Sequence, residues 1–403
     1  MPGKESKIDT DKKSTSCQTV LVIESHARAA VAVIKSLLGH GLEVAAASDH
    51  RYCAGFFVKG LKKRLIYPPI ENNPDEFIEW LLNYLRLNKT KMLFPLGNAG
   101  VELVSRYQEE LRQYTNLFVS EHSSFVIAYD KIQANKAAEA VCVPIPQSWY
   151  PDETGLDSVI KSARFPLVIK PNIGVGARGI IRVNSPIELE KVWKSAQKSK
   201  YRMFVQKFIE HPARQYVVDM LLDKQFNSVA AVASEKVRFF PVKGGASTLS
   251  RSIHNSDLYN NSAKLLKSIG YYGISNIDWI EDSEDGILKF LEINPRFGEM
   301  HGICNAVGVD MPYYLYKLAM GETFSAIKDY IEDKYFRFLP TDLMWFLSSP
   351  ERFKAKPGFL ASFRNDVTHT LFEANDYGPL LGYILENLLL LAKPHRFLYR
   401  FRR

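Results

Sequence analysis

The sequence has few cysteines and no long apolar run. Its 403 residues include only four cysteines, and no two of them have the spacing of a metal-binding or redox motif. The longest apolar stretch, residues 380–392, is interrupted by Glu386 and Asn387 and is shorter than the ~20 residues of a transmembrane helix. Residues 1–17 are polar and lack the apolar core of a signal sequence, so we expect a disordered tail. These absences predict a cytoplasmic protein with reduced thiols and no membrane-spanning segment.

The composition is that of an ordinary globular protein. Hydrophobic residues make up 46% of the chain and charged residues 24%, which excludes global disorder, and the length favours two or three domains. The net charge is +8, yet no basic face with interleaved aromatic residues is evident in the folded regions, so no nucleic-acid partner is expected. The basic, aromatic segment 392–403 has two interpretations, a solvated terminus or contact with an anionic membrane, which would place the protein at the inner membrane surface.

Residues 18–122 have the pattern of an α/β domain with a parallel sheet. Apolar strand-like runs at residues 19–25, 42–48, 91–97 and 116–120 alternate with helical patterns. A dinucleotide-binding domain would carry glycines in the first turn between strand and helix, where this chain has residues 24–27, Glu-Ser-His-Ala. This sheet is therefore expected to be a scaffold or part of a substrate site.

Beyond residue 123 the pattern becomes antiparallel. Strand-like segments flank residues 171–178, and further strands follow at 203–209, 215–222 and 226–234. A hairpin is predicted over residues 273–295, with its turn at 282–286. Residues 324–403 are expected to form a C-terminal helical extension, whose apolar helix would pack on the body of the protein or on a second subunit of a homodimer.

A glycine-rich segment at residues 174–179 matches G-x-G-x-x-G, but its context is not that of a nucleotide-binding helix. A β-like run, Ile-Ile-Arg-Val, follows it at once, so the glycines are expected at the tip of a hairpin. There the segment is either an ordinary turn or a flexible loop whose backbone N–H groups contact phosphate.

Asp278, Glu292 and Asn294 form the strongest candidate site. Side chains two residues apart on a strand share one face, and the predicted turn places Asp278 opposite or beside Glu292. Three oxygen ligands on one face suit a hard cation such as Mg²⁺, whereas the alternative is an edge strand with solvated acids. Arg296 follows as a permanently charged donor for a phosphoryl group.

The motifs D-K, V-I-K-P-x-x-G-x-G-x-R-G, V-Q-K-F-I-E, D-W-I and E-I-N-P-R-F-G occur in this order, and the chain resembles the ATP-grasp superfamily. That superfamily includes biotin carboxylase, the carbamoyl phosphate synthetase large chain and D-alanine:D-alanine ligase. The resemblance covers Val20 to Thr323. It implies an α/β and α+β protein with a parallel-sheet N-terminal domain (18–122), a small lid subdomain (123–205) and an antiparallel catalytic subdomain (206–323).

The resemblance also implies a role for individual residues. Lys131 and Lys170 resemble the lysines that contact the ATP phosphates, and the lid loop over them corresponds to Gly174, Gly176, Arg178 and Gly179. The segment that binds adenine corresponds to Gln206, Lys207 and Ile209, and the ribose contact corresponds to Gln215. Asp278, Glu292 and Asn294 resemble the ligands of Mg²⁺ or Mn²⁺. Arg296 and Lys170 are the predicted catalytic residues.

The expected activity is ATP-dependent ligation of two small molecules. A carboxylate would be activated as an acyl phosphate, and an amine, or less often a thiol, would displace the phosphate. Glu299 and His301 are candidate bases, although a structural role is also compatible with their positions. The alternatives are a biotin-carboxylase-like or carbamoyl-phosphate-type enzyme, and a degenerate nucleotide-binding regulator at the membrane. No biotin-carrier segment is visible, which favours the ligase.

Overall fold

A computed structural model describes residues 19–174, 179–210, 213–242, 244–327, 329–363, 367–371 and 376–391. The predicted disordered tail (1–17) and the predicted basic tail (393–403) lie outside these residues, as do Gly176 and Arg178 of the predicted lid loop. Across the described ranges, no helix has the length and apolar character needed to cross a membrane.

The N-terminal part contains a parallel sheet of four strands in the order β3-β2-β1-β4. The strands are β1 (Thr19–Ile23), β2 (Glu43–Ser48), β3 (Lys63–Ile66) and β4 (Met92–Pro95). The helices are α1 (Ala30–Gly39), α2 (Pro74–Leu87), α3 (Asn98–Arg106) and α4 (Gln108–Leu111), and a 3₁₀ turn covers Ala54–Phe57. Strand β1 is apolar after Thr19 because both of its faces are covered: Val20 and Val22 enter one core, and Leu21 and Ile23 enter another.

The parallel sheet was predicted, but its fourth strand was misidentified. Residues 116–120 form no strand, and only Asn116 makes an isolated bridge to Met92. The Ser120 hydroxyl instead donates a hydrogen bond to the carbonyl of Tyr272 (2.8 Å) and accepts one from its N–H (2.7 Å). This pairing draws the segment away from the parallel sheet and toward the following part of the chain.

The middle of the chain forms an antiparallel sheet in the order β5-β8-β6-β7. Helices α5 (His122–Tyr129) and α6 (Lys131–Ala140) precede it. Its elements are β5 (Ser148–Trp149), α7 (Pro151–Thr154), α8 (Leu156–Ser162), β6 (Leu167–Pro171), β7 (Ile181–Val183), α9 (Pro186–Ala196) and β8 (Met203–Lys207). Ser185 caps helix α9, because its hydroxyl accepts a hydrogen bond from the N–H of Glu188 (3.3 Å).

A seven-stranded sheet with the order β13-β12-β9-β10-β11-β14-β15 completes the fold. Its strands are β9 (Gln215–Leu222), β10 (Ser228–Phe240), β11 (Ala246–Ile253), β12 (Gly273–Glu281), β13 (Leu288–Asn294), β14 (Tyr335–Arg337) and β15 (Val367–His369). The helices are α10 (Ser256–Ser268), α11 (Gly302–Ala306), α12 (Met311–Ala319), α13 (Leu339–Ser348) and α14 (Gly378–Leu391), with a 3₁₀ turn at Ala361–Phe363. All neighbouring strands are antiparallel except β14 and β15.

The sheets do not follow the predicted subdomain limits. Strand β8 crosses the predicted limit between residues 205 and 206 and pairs with β5 and β6 in the four-stranded sheet. The C-terminal region, predicted as a helical extension, contains α13 and α14 but also contributes β14 and β15 to the large sheet. The division into subdomains stays a prediction, and the C-terminal region is more than a helical appendage.

Candidate functional site

A cavity of about 600 Å³ lies between the antiparallel sheet β5–β8 and the seven-stranded sheet. This volume is typical of small-molecule sites. Strands β6 and β8 form one side, and strands β9 to β13 form the other. Every described residue that was predicted to bind ATP, to bind metal or to act on the phosphoryl group lines this cavity, with the exception of Gly179. These residues are Lys131, Lys170, Gly174, Gln206, Lys207, Ile209, Gln215, Asp278, Glu292, Asn294 and Arg296.

Asp278 and Glu292 face each other across the β12–β13 pair, as the hairpin pattern predicted. Each carboxylate has its own ammonium partner: Asp278 Oδ1 lies 2.5 Å from Nζ of Lys236, and Glu292 Oε2 lies 3.1 Å from Nζ of Lys131. Burial raises the pKa of Asp278 to about 6; Lys236 opposes this shift, and the nearby Glu292 adds to it. Burial also acts on Glu292, but Lys131, Asp278 and Lys236 together outweigh it and lower the pKa of that carboxyl.

The donor set fits a hard divalent cation. Two carboxylates in this proximity repel each other unless positive charge lies between or beside them, and the two lysines supply it here. Asn294, two residues after Glu292 on the same strand, adds an amide oxygen on the same face. Oxygen donors of this kind are those preferred by Mg²⁺.

Two lysines reach the acidic pair from different elements. Lys131 is the first residue of α6, where Asp130 caps the helix by accepting hydrogen bonds from the N–H groups of Ile132 and Gln133. The Lys131 ammonium donates to the carbonyl of Gly174 (2.7 Å). Lys170, on β6, donates to Gln206 Oε1 (2.6 Å). Burial lowers the pKa of Lys170 to about 8; Lys131 adds to this shift, and Glu292 opposes it.

The glycine-rich segment lies between two antiparallel strands, as predicted. Leu167, Val168 and Ile169 of β6 pair with residues 181–183 of β7, so the segment is the connection of a hairpin and does not open a helix. Gly174 enters the cavity wall. Gly179 adopts φ +75°, a left-handed conformation that glycine tolerates well.

The predicted adenine segment is the end of β8 and the residues that follow. The Gln206 amide lies in the wall, accepting from Lys170 and donating to the Ser148 hydroxyl (2.9 Å). The Lys207 ammonium turns away to Asp282 (2.9 Å) and Glu284 (2.6 Å) in the β12–β13 turn. The Lys207 side chain is thus held by acidic groups, and Ile209 lines the cavity two residues later.

Arg296 lies at the end of the cavity that is nearest the N-terminal sheet. Its guanidinium donates to the carbonyl of Phe297 (2.8 Å) and to Asn294 Oδ1 (3.4 Å). Burial raises the pKa of Glu24, the residue after β1, and the backbone N–H groups of Gly97 and Gly100 and the nearby Arg296 oppose this shift. The buried Glu24 carboxylate accepts hydrogen bonds from the N–H groups of Gly97 (2.5 Å) and Gly100 (3.1 Å). The N-terminal sheet therefore borders the end of the cavity that contains Arg296.

The two candidate bases differ in access. Glu299 lines the cavity and forms an ion pair with Arg28 (2.9 Å) of the N-terminal part. His301 is fully buried beneath it, with Nδ1 3.4 Å from Asp219 Oδ1 and its ring edge against Phe297. Of the two, only Glu299 can meet a substrate in this conformation.

Sequence reasoning missed Lys236, the partner of Asp278. The predicted third strand ended at Ser234, whereas β10 continues to Phe240. Residues two apart on a strand share one face, so Ser234 and Lys236 would lie on the same side if the predicted strand were two residues longer. That side is the one that lines the cavity.

Known proteins resemble this chain in sequence and in fold. The family model of the carbamoyl-phosphate synthase L chain, ATP binding domain, matches residues 130–327. Biotin carboxylase 2 of Bacillus subtilis is 22% identical over 333 residues, which cover 76% of this chain and 74% of that protein. Pyruvate carboxylase of Bacillus subtilis is 27% identical over 300 residues, 70% of this chain but 25% of that protein. The chain therefore spans most of the first relative and only a quarter of the second.

Solved structures share the fold. Biotin carboxylase from Campylobacter jejuni superposes with a TM-score of 0.66 at 16% identity, covering 79% of this chain and 74% of that one. L-amino acid ligase from Bacillus licheniformis superposes with a TM-score of 0.57 at 12% identity, covering 75% of this chain and 74% of that one. At such identities the likeness establishes the fold.

Proposed function

Since this chain belongs to the ATP-grasp superfamily, we propose that it is an ATP-dependent ligase that joins a carboxylate to an amine. The carboxylate oxygen attacks the γ-phosphorus of ATP and releases ADP, which leaves an acyl phosphate. The amine nitrogen then attacks the acyl carbon, phosphate departs, and the amine loses a proton. The observation that carries the proposal is the convergence of the Asp278–Glu292 pair, four lysines and Arg296 on one cavity.

Each cationic side chain has a position suited to one part of the reaction. Lys131 and Lys170 lie beside the acidic pair, where they would hold the phosphates in place for attack. Arg296, farther along the cavity, would stabilise the negative charge of the phosphoryl group and of the acyl phosphate. Asp278, Glu292 and Asn294 would hold Mg²⁺, which neutralises phosphate charge when it is bound.

Glu299 is the candidate for taking the proton from the amine. It lines the cavity, and its ion pair with Arg28 (2.9 Å) holds the carboxylate in place there. The Ser234 and Ser250 hydroxyls and the polar Asn276 line the same cavity. This lining suits a polar acceptor rather than an apolar one.

The reaction type is tested by incubating the protein with ATP, Mg²⁺ and a panel of carboxylates and amines. We expect ADP and phosphate in equal amounts, dependent on both substrates, and a hydroxamate when hydroxylamine replaces the amine, because hydroxylamine traps acyl phosphates. Carboxylate labelled with ¹⁸O should transfer one label to phosphate. AMP and pyrophosphate as products would refute the proposal.

Two controls separate this reaction from its neighbours. Bicarbonate with free biotin, in place of the panel, should release no ADP; if it did, the chain would be a carboxylase. Glu292→Gln should abolish product formation, whereas Asp285→Asn, which removes a half-exposed carboxylate outside the cavity, should leave it unchanged.

A further inference from the structure

Three side chains of the kind that bind metal ions lie together at the carboxyl edge of the N-terminal sheet. His26 follows β1, and Asp49 and His50 follow β2, the strand beside it. Because β1 and β2 are parallel, their carboxyl ends meet at one edge of the sheet. Each of the three residues offers one ligand atom, and these atoms lie within 4.8 Å of one another. We call this group the His–Asp–His cluster.

Asp49 is the centre of the cluster. Its Oδ1 atom lies 3.5 Å from Nδ1 of His26 and 2.5 Å from Nδ1 of His50. The tetrahedral ligands of a Zn²⁺ ion lie about 2.1 Å from the ion and therefore about 3.4 Å from one another. The atoms of His26 and Asp49 already have this separation, and an ion would replace the hydrogen bond between Asp49 and His50.

Helix α14 brings a second carboxylate to the cluster. A side chain at Gly378 or Gly382 would collide with residues 53–57, so α14 lies directly against this part of the chain. Glu386 is one helical turn farther along the same side of α14. Its Oε1 atom lies 3.9 Å from Nε2 of His50.

The placement of Glu386 is evidence that does not depend on the spacing within the cluster. Glu386 is the one charged residue in the sequence of α14, yet its side chain is only 12% exposed. Carboxylates in such positions are paired or bind metal ions, because the loss of water is costly for a charged group. This carboxylate is directed at the ring nitrogen of His50 that faces away from Asp49.

A carboxylate behind a histidine is characteristic of metal sites. A metal-bound imidazole donates its other N–H to a carboxylate, which fixes the orientation of the ring and makes the ligating nitrogen more basic. Nε2 of His50 has this relation to Glu386, while Nδ1 is directed at Asp49. The cluster therefore has both the ligands and the supporting carboxylate of a metal site.

The ligand types distinguish this cluster from the acidic pair in the cavity. Two imidazoles and one carboxylate are ligands of Zn²⁺ and of neighbouring transition-metal ions, whereas Mg²⁺ prefers oxygen. None of the three cluster residues is among the described residues that line the cavity. The cluster and the ligase reaction therefore use different residues.

We propose that His26, Asp49 and His50 bind a divalent transition-metal ion such as Zn²⁺ and that Glu386 positions His50. The ion is coordinated by one nitrogen of each imidazole and by a carboxylate oxygen of Asp49. The side chains of His26 and His50 are 36% and 38% exposed, so water has access to the remaining coordination position. Through Glu386 the ion also links α14 to the edge of the parallel sheet. This inference does not rest on the proposed ligase function.

Titration of the full chain with Zn²⁺ tests the site. The protein is treated with EDTA and desalted, and calorimetry is carried out in excess Mg²⁺, which competes at sites made only of oxygen ligands. We expect one Zn²⁺ to bind per chain. His50→Ala and His26→Ala lie on different loops and should each weaken binding at least about a hundredfold, because a ligand is lost. Glu386→Gln should weaken it about tenfold, because the orientation of His50 is then less well fixed.

The matched control is His40→Ala. His40 is also 38% exposed and also pairs with a carboxylate, that of Asp310 (2.9 Å), but among the described residues it belongs to no group of three metal-ligating side chains. Its loss should leave Zn²⁺ binding unchanged. Equal affinity in His40→Ala and His50→Ala, or no binding of Zn²⁺ by the unmodified chain, would overturn the proposal. An unchanged metal-free melting temperature shows that a variant is folded, and either histidine variant decides the question if the other does not fold.

Co²⁺ in place of Zn²⁺ reports on the ligands through its absorption spectrum. Nitrogen and oxygen ligands give weak visible bands, which we expect here, whereas a thiolate ligand adds a strong near-ultraviolet band. The second result would place the ion at the buried group of Asp219, His301 and Cys304 and would refute the assignment. Zn²⁺ should also slow amide hydrogen exchange in α14 of the unmodified chain and should slow it less in Glu386→Gln; equal exchange with and without Zn²⁺ would contradict the link to α14.

Discussion

The pKa of Lys170 predicts that nucleotide affinity falls as the pH rises above neutrality. Burial lowers the pKa of this ammonium to about 8, so its protonated fraction falls from about nine tenths at pH 7 to about one tenth at pH 9. A phosphate beside Lys170 favours the charged form and keeps it protonated in the complex. Binding then takes up a proton, and the Kd for nucleotide should rise about tenfold between pH 7 and pH 9.

Isothermal titration with a non-hydrolysable ATP analogue, in EDTA, measures this dependence without metal. Lys170→Arg keeps a charge at both pH values, so its Kd should change little. Lys170→Gln should bind weakly at both. A constant Kd in the unmodified protein, or the same tenfold rise in Lys170→Arg, would show that Lys170 does not contact phosphate.

Three further predictions follow from the site and its supports. Glu292→Gln should reduce ADP formation about a hundredfold or more, since it removes a carboxylate of the acidic pair, while binding of the analogue in EDTA persists. Asp282→Asn should lower the free energy of unfolding by about 2 kcal/mol at pH 7, measured by urea titration. Burial opposes the ionisation of Asp282, but Lys289 and Lys207 outweigh it and hold the pKa at about 2, below the ordinary 3.8. Because the folded pKa is the lower one, this contribution is complete above pH 4 and disappears toward pH 2, and equal stability of both proteins at pH 7 would contradict it. Gly298→Ala should lower the melting temperature because its methyl group would collide with Asn276 and Asp219, whereas Gly358→Ala, with open space at its Cβ, should not.

The sequence was sufficient for features that depend on local periodicity. The β12–β13 hairpin was predicted from alternation and a turn, and its register puts Asp278 opposite Glu292. The glycine-rich hairpin was predicted from the β-like run that follows it. In both cases the chemistry lies on neighbouring strands joined by a short turn, so the strand period of two fixes which side chains face each other.

Features that depend on distant contacts were not predictable in this way. The pairing of Lys131 with Glu292 joins residues far apart in the sequence, and no local pattern specifies it. The segment 116–120 has the composition of a strand, but hydrogen bonds between Ser120 and Tyr272 take it elsewhere. Tertiary contacts of this kind override local propensity.

The C-terminal segment has a consequence for how the molecule can move. Strand β14 pairs with β11, while α14 packs on the N-terminal part, where Lys35 meets Asp376 at 3.1 Å. The C-terminal segment thereby links the seven-stranded sheet to the N-terminal parallel sheet. The antiparallel sheet β5–β8 is not part of this link, and it contacts the seven-stranded sheet through pairs such as Lys207 with Asp282. We therefore expect the cavity to open and close by movement of the sheet β5–β8 relative to the other two sheets, which the C-terminal segment joins.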